Sequence, residues 1–163
     1  MVTESYNEDV RSFKTTLLFI ALANIFLGIF IWRVSAVGFS AFPSICLFFS
    51  IFFGLYVLNY RTLKIKITDQ TLSLKFGVVR WRISLDNIKI SSFDESPVWI
   101  KFGGAGVHFA FVNQQYRAFF NFLEYPRVLI TFKEKQGLVQ GLVFTTRKPD
   151  DVLKFIRERE RNP

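Results

Sequence analysis

The chain has 163 residues, half of them hydrophobic, with 21 phenylalanines and a net charge of +8. Its mean hydropathy of +0.27 is high for a soluble protein, and its isoelectric point is near 9.8. A single cysteine excludes a disulfide framework and a cysteine-based zinc site, and a single histidine leaves few options for a histidine-dependent metal centre.

The chain opens with a tail to Lys14 that carries Glu4, Glu8 and Asp9 against Arg11 and Lys14. Thr15–Trp32 then runs for 18 residues without a charge, and Phe39–Leu58 for 20 more. As helices these runs are roughly 27 and 30 Å long, matching a hydrocarbon core of ~30 Å. Only Arg33–Gly38 separates them, which predicts an antiparallel transmembrane hairpin over residues 15–58. Arg11 and Lys14 precede the first run, and Arg61, Lys64 and Lys66 follow the second, with Arg33 alone between them. That bias places both termini in the cytoplasm and the protein in the cell membrane. Trp32, Tyr56 and Tyr60 sit where interfacial aromatic anchors belong. Val34-Ser35-Ala36 resembles a signal-peptide cleavage site, but the apolar run is longer than a signal core and the tail before it is acidic.

Within the runs, Asn24 and Gly28 lie four apart, as do Ser50 and Gly54, a spacing that favours close helix packing over a transport site. Pro43 falls in the first turn of the second run, and Cys46 reads as a small apolar residue.

Residues 59–163 form a separate region. From Arg61 onward it holds 18 basic and 10 acidic residues, and so carries the whole net charge. Alternation with period two predicts strands at Thr62–Ile67, Thr71–Phe76, Val79–Leu85 and Ile88–Phe93. Further strands follow at Val98–Phe102, Val107–Val112, Arg127–Lys133 and Leu138–Thr145. The short connections imply an antiparallel meander. The aromatic stretch Asn113–Pro126 has no clear periodicity and reads as a strand with an aromatic loop. Pro149 opens a helix with Asp150 and Asp151 in its first turn and Val152, Leu153, Phe155 and Ile156 as its apolar stripe.

Strands followed by one closing amphipathic helix give an α+β, mostly β region, and three segments carry a family resemblance. They are Ile65–Leu72, Phe76–Ile88 and Phe144–Leu153, the last a strand running into the helix. In this pattern the chain from Tyr60 to about Arg159, with the hairpin before it, resembles the bacterial pleckstrin-homology-like domain family of small membrane-anchored proteins. The resemblance implies an antiparallel barrel or sandwich capped by its C-terminal helix, and a membrane context. It implies no catalytic residues. Asn113–Pro126 has no place on the family pattern.

The residues that could carry chemistry are few. His108 alternates with Phe109 and Phe111 on a strand and reads as structural, and Cys46 falls in the membrane. Gly103–Gly106 lacks the Lys-Ser/Thr of a phosphate loop and reads as a bend. Asp94-Glu95 reads as a turn and Asp150-Asp151 as a helix start, with no carboxylate pair suited to glycoside hydrolysis. No metal, cofactor or nucleic-acid motif is found. Phe119, Phe120 and Phe122 are expected in the core rather than at the membrane. The strongest feature is the polar side of three consecutive strands, where Lys64, Lys66, Lys75, Arg80 and Arg82 form one patch. Anionic headgroups attract each nearby basic residue by about 1 kcal/mol. The expectation is a non-enzymatic module that binds a protein partner or anionic phospholipid, or else an accessory subunit of a larger membrane complex or homo-oligomer.

Overall fold

The computed structural model describes residues 5–96 and 105–161, with side chains as far as Arg159. It begins with a strand, β1 (Tyr6–Arg11), followed by helices α1 (Phe13–Val37) and α2 (Ala41–Asn59). Strands β2 (Thr62–Ile67), β3 (Thr71–Phe76) and β4 (Val79–Ser84) come next, then a 3-10 turn at Leu85–Asn87. The chain continues through β5 (Ile88–Phe93), β6 (Gly106–Val112), β7 (Gln115–Asn121), β8 (Arg127–Gln136), β9 (Val139–Thr145) and α3 (Pro149–Arg161). The strand expected at Val98–Phe102 lies outside the described residues.

Both α1 and α2 are long and apolar enough to cross a membrane, and almost none of either is covered by the rest of the protein. A helix that is apolar on all sides and unburied is of the kind found in membrane spans. Their lengths of about 37 and 28 Å suit a bilayer. Val34-Ser35-Ala36 lies inside the unbroken α1. The helices do not meet through the small residues. Phe19 packs on Phe53 and Tyr56, and Phe26 on Phe49 and Phe53, with centroids 4.5–5.9 Å apart. A side-chain carbon at Gly28 or Gly54 would meet nothing within 4 Å. Phenylalanine thus fills the seam where close backbone approach at Gly28 and Gly54 was expected.

The part outside α1 and α2 is two sheets, not one meander or a closed barrel. The first has the order β1-β2-β3-β4 and the second β5-β8-β9-β7-β6. All pairs are antiparallel except β7 and β9, which run parallel. The residues read as a tail supply β1, whose Arg11 stands opposite Thr62 and Tyr6 opposite Ile67. The α1–α2 pair is therefore a long insertion between two neighbouring strands of one sheet. The polar residues of the tail did not reveal this, because β1 is an edge strand that buries only Val10 fully.

The sheets face each other across one core. Leu63, Ile65, Leu74 and Phe76 come from the first sheet, and Phe120, Ile130, Leu142 and Phe144 from the second. Helix α3 adds Val152, Leu153 and Ile156. It lies at the end remote from α1 and α2, where Arg159 Nε donates to Asp69 Oδ1 in the β2–β3 turn at 2.9 Å. Phe120 and Phe122 are fully buried in this core, and Phe119 is fully buried in a smaller cluster with Val112 and Val143 on the second sheet's opposite face. The stretch without clear periodicity resolves into the β6–β7 hairpin. Its turn is Asn113-Gln114, both with positive φ of 49° and 62°, as a two-residue hairpin turn requires. Gln at the second position hid the turn, since that place usually holds Gly.

Three loops fasten the helices to the domain. Glu124 caps the start of α1, and Tyr125 Oη donates to the Arg11 carbonyl at 2.8 Å. At the other end, Val78 N–H donates to Asn59 Oδ1 at 2.9 Å, and Tyr56 Oη donates to the Ala105 carbonyl. The side chain of Glu8 ties β1 to the approach of α3. It accepts from Tyr6 Oη at 2.8 Å, Thr146 Oγ1 and the Arg147 amide. Burial, helped by this carboxylate, raises the Tyr6 phenol well above its ordinary pKa, so the phenol remains a donor.

Candidate functional site

The first sheet turns one face to the core and the other to solvent, and the period of two decides which side chains go where. On the solvent face, Lys64 is opposite Lys75 and Lys75 is opposite Arg80. One step further from α2, Lys66 is opposite Ser73 and Ser73 opposite Arg82. Residues two apart on a strand are ~6.6 Å apart, so the five cations form two short rows. All five line one shallow groove of about 630 Å³. The hydroxyls of Thr68, Thr71 and Ser73 share this groove.

The structure thus brings together all five of the basic residues picked out in the sequence. It also adds two that the sequence reading missed. Asn7 and Asp9 of β1 lie opposite Lys66 and Lys64 and complete the groove wall. The only signal for them was the weak alternation of Tyr6, Glu8 and Val10. Asp9 Oδ2 is 3.9 Å from Lys64 Nζ, with both side chains more than half exposed. An exposed pair of this kind contributes little, and Asp9 is the one acid lining the groove. Like charges at directly opposed positions repel. Lys64, Lys75 and Arg80 hold that arrangement without a neutralising partner for the last two among the described ion pairs.

The other sequence candidates have structural surroundings. His108 lies on β6 with its ring stacked on Phe119 at 4.8 Å and 7°. Desolvation, with the nearby Arg127 charge, lowers its pKa. Asp94 follows β5 and pairs with Arg127 at 2.8 Å, with both side chains almost fully buried. Of the glycine cluster, Gly106 begins β6 with φ of 95°, and a side-chain carbon there would fall on the Tyr56 hydroxyl. It is a close-packing position against α2. Asp150 and Asp151 occupy the first turn of α3. Cys46 is buried in α2. Among the described residues, no group of three or more His, Cys, Asp or Glu could hold a metal ion.

No model of a known protein family matches the chain, and neither does any curated protein.

Proposed function

We propose that this protein is a membrane-anchored, non-enzymatic binding module of pleckstrin-homology-like type, with both termini on the cytoplasmic side, whose groove takes the anionic headgroup of a phospholipid. The observation that carries this reading is the convergence of Lys64, Lys66, Lys75, Arg80 and Arg82 on one groove. The same-side placement rests on β1 pairing with β2, since strands joined in one sheet cannot be divided by a bilayer. The nearer row begins at Lys64, at most ~18 Å of chain beyond the end of α2. Attraction to an anionic surface is about 1 kcal/mol for each basic residue close to it and fades within a Debye length of ~8 Å. The groove thus suits a headgroup raised toward it, or one flanking the anchor, better than a flat approach to the whole bilayer.

The test uses the full chain in mixed micelles of zwitterionic and anionic lipid, with retained lipid read by native mass spectrometry. Preferential retention of the anionic lipid is expected, weakening with salt and lost in Arg80→Glu/Arg82→Glu. Equal retention of the two lipids would sink the proposal.

One observation favours a second reading, an accessory subunit packed against other membrane helices. Leu17, Ala21, Asn24, Gly28, Ile31 and Ser35 recur at alternating spacings of four and three along α1, and all are exposed. This is the repeat of a left-handed helix seam, here rich in small and polar residues and facing away from α2. Purification in mild detergent separates the readings: a lone monomer argues against the subunit, and a stable complex that dissociates in Gly28→Leu supports it.

A further inference from the structure

The β3–β4 turn carries Val78, whose side chain is 86% exposed, more than any other large hydrophobic side chain among the described residues. One exposed apolar side chain is ordinary in itself, and the place of this one gives it meaning. The Val78 N–H donates to Asn59 Oδ1 at 2.9 Å. Gly77 lies so close to Asn59 that a side-chain carbon would strike the Asn59 carbonyl and side chain. Both residues of the turn are thus fastened to the last residue of α2. Asn59 directly follows Leu58, where the uncharged run closes, a rise of ~1.5 Å.

Leu58 is itself 78% exposed, and Phe13, the first residue of α1, is 76% exposed. Arg11 opposite Thr62 sets the start of α1 beside the end of α2. The exposed apolar surface of the two helices therefore continues onto the hairpin tip. Charge follows immediately behind it. Lys64, Lys75 and Arg80 stand in one row across β2, β3 and β4, all exposed. Arg80 is two residues beyond Val78, ~6.6 Å along the strand.

We infer that the β3–β4 turn is an anchor in the membrane interface, with Val78 against lipid and Lys64, Lys75 and Arg80 among the headgroups of the same leaflet. The inference rests on the reading that α1 and α2 cross a bilayer. The interfacial layer is about 5–7 Å deep on each side of the hydrocarbon core. Val78 at its inner edge therefore puts the first cationic row at its outer edge, with Lys66 and Arg82 beyond. An apolar tip below a basic row suits this layer, because apolar area leaves water while the cations stay with phosphate. The sheet domain then stands on two helix ends and a hairpin tip. The lipid that reaches the basic groove is one flanking the anchor, beside Val78.

The experiment places nitroxide labels on the full chain, in a Cys46→Ala background, through Val78→Cys, Ile51→Cys or Leu138→Cys. Ile51 is an exposed residue midway along α2. Leu138 is 80% exposed in the β8–β9 turn, at the opposite end of β8 from the loop whose Tyr125 holds Arg11. Each protein is placed in nanodiscs of zwitterionic lipid, and collisions with oxygen, which concentrates in the acyl layer, are compared with collisions with a water-soluble nickel chelate. The oxygen-to-nickel ratio at position 78 should fall between those at 51 and 138, with nickel collisions several-fold below those at 138. A ratio at 78 equal to that at 138, with 51 shielded from nickel, overturns the inference and leaves the spanning helices in place. Free access of nickel to 51 overturns the spanning reading and the inference with it. Shielding of 78 from both reagents places protein against Val78 instead of lipid, and also overturns it. No anionic lipid is present, so a groove that fails to select anionic headgroups changes none of these results.

Discussion

The carboxylate of Glu124 accepts hydrogen bonds from the backbone N–H groups of Phe13, at 3.1 Å, and Lys14, at 3.3 Å. A residue of the sheet domain thus caps α1 from 111 positions away in the chain. Ser12 adds the local cap, accepting from the Thr15 amide at 3.0 Å. A negative charge at the helix N-terminus also complements the helix dipole. Glu124→Ala should lower stability by about 1 kcal/mol, read as a fall in melting temperature in nanodiscs with unchanged helix content. An unaltered melt would show that Ser12 suffices.

Arg11 and Thr62 are partners across β1 and β2, so the ends of the helical insertion lie only ~5 Å apart. A protein in which a turn of about two to four residues replaces the two helices should fold as a soluble monomer. A fragment starting at Tyr60 lacks β1 and leaves β2 as an exposed edge without Val10 above it, and should aggregate. Size-exclusion chromatography and amide spectra of the two proteins decide this. Equal behaviour would mean that β1 is dispensable.

Gly77 turns the chain between β3 and β4 with φ of 60°, and a side-chain carbon there would strike both the carbonyl and side chain of Asn59. Gly77→Ala has to pay a left-handed penalty of roughly 1–2 kcal/mol and also push the end of α2 off the domain. The expected result is a loss of at least that size together with faster proteolysis near Tyr60. A melt within error of wild type would show that the junction yields freely.

The Asp94–Arg127 pair is buried, so removing one partner leaves a desolvated charge. Asp94→Leu is expected to cost about 3–5 kcal/mol, and the double change Asp94→Leu/Arg127→Met to recover most of it. A double-mutant cycle on thermal unfolding measures the coupling, and additive losses would contradict it.

His108 has a folded pKa below its ordinary value of about 6.5, through burial and then the charge of Arg127. The unfolded chain therefore binds the proton more readily than the folded one. Stability from the neutral ring is complete above the unfolded pKa and is lost as pH falls below it toward the folded pKa. Arg117 and Arg127 face the same side of the sheet and disfavour protonation, while Asp94, held by Arg127, opposes them. The melting temperature should drop on acidification from about pH 7 to 5, and His108→Phe, which keeps the stack on Phe119, should flatten that slope. A slope identical to that of wild type would assign it to other groups.

Several elements were legible because their signals are local. The uncharged runs ending at Trp32 and Leu58 announced α1 and α2, since a bilayer accepts only uniformly apolar helices of that length. Leu63, Ile65 and Ile67 alternating with Lys64 and Lys66 fixed both a strand and the side its charges occupy. Pro149 followed by two aspartates marked the start of α3. Lys64, Lys75 and Arg80 could be placed together because short turns force neighbouring strands to pair in register.

Other features depend on contacts between residues far apart in the chain. Nothing in Tyr6–Arg11 announces a partner at Thr62–Ile67, because an edge strand needs only one buried residue and its hydrogen bonds are made by backbone. The parallel pairing of β7 with β9 escapes hairpin reasoning, since β8 lies between them in sequence and on the far side of β9 in space. The burial of Asn121 and Arg127 was hidden for a related reason. Alternation tells which residues share a face, and only the tertiary structure decides whether that face meets solvent or protein. The opening contrast between a hydrophobic composition and a charge of +8 was thus settled by sequence as a division between helices and sheets, while the fold decided how β1, Glu124 and Asn59 bind the two parts together.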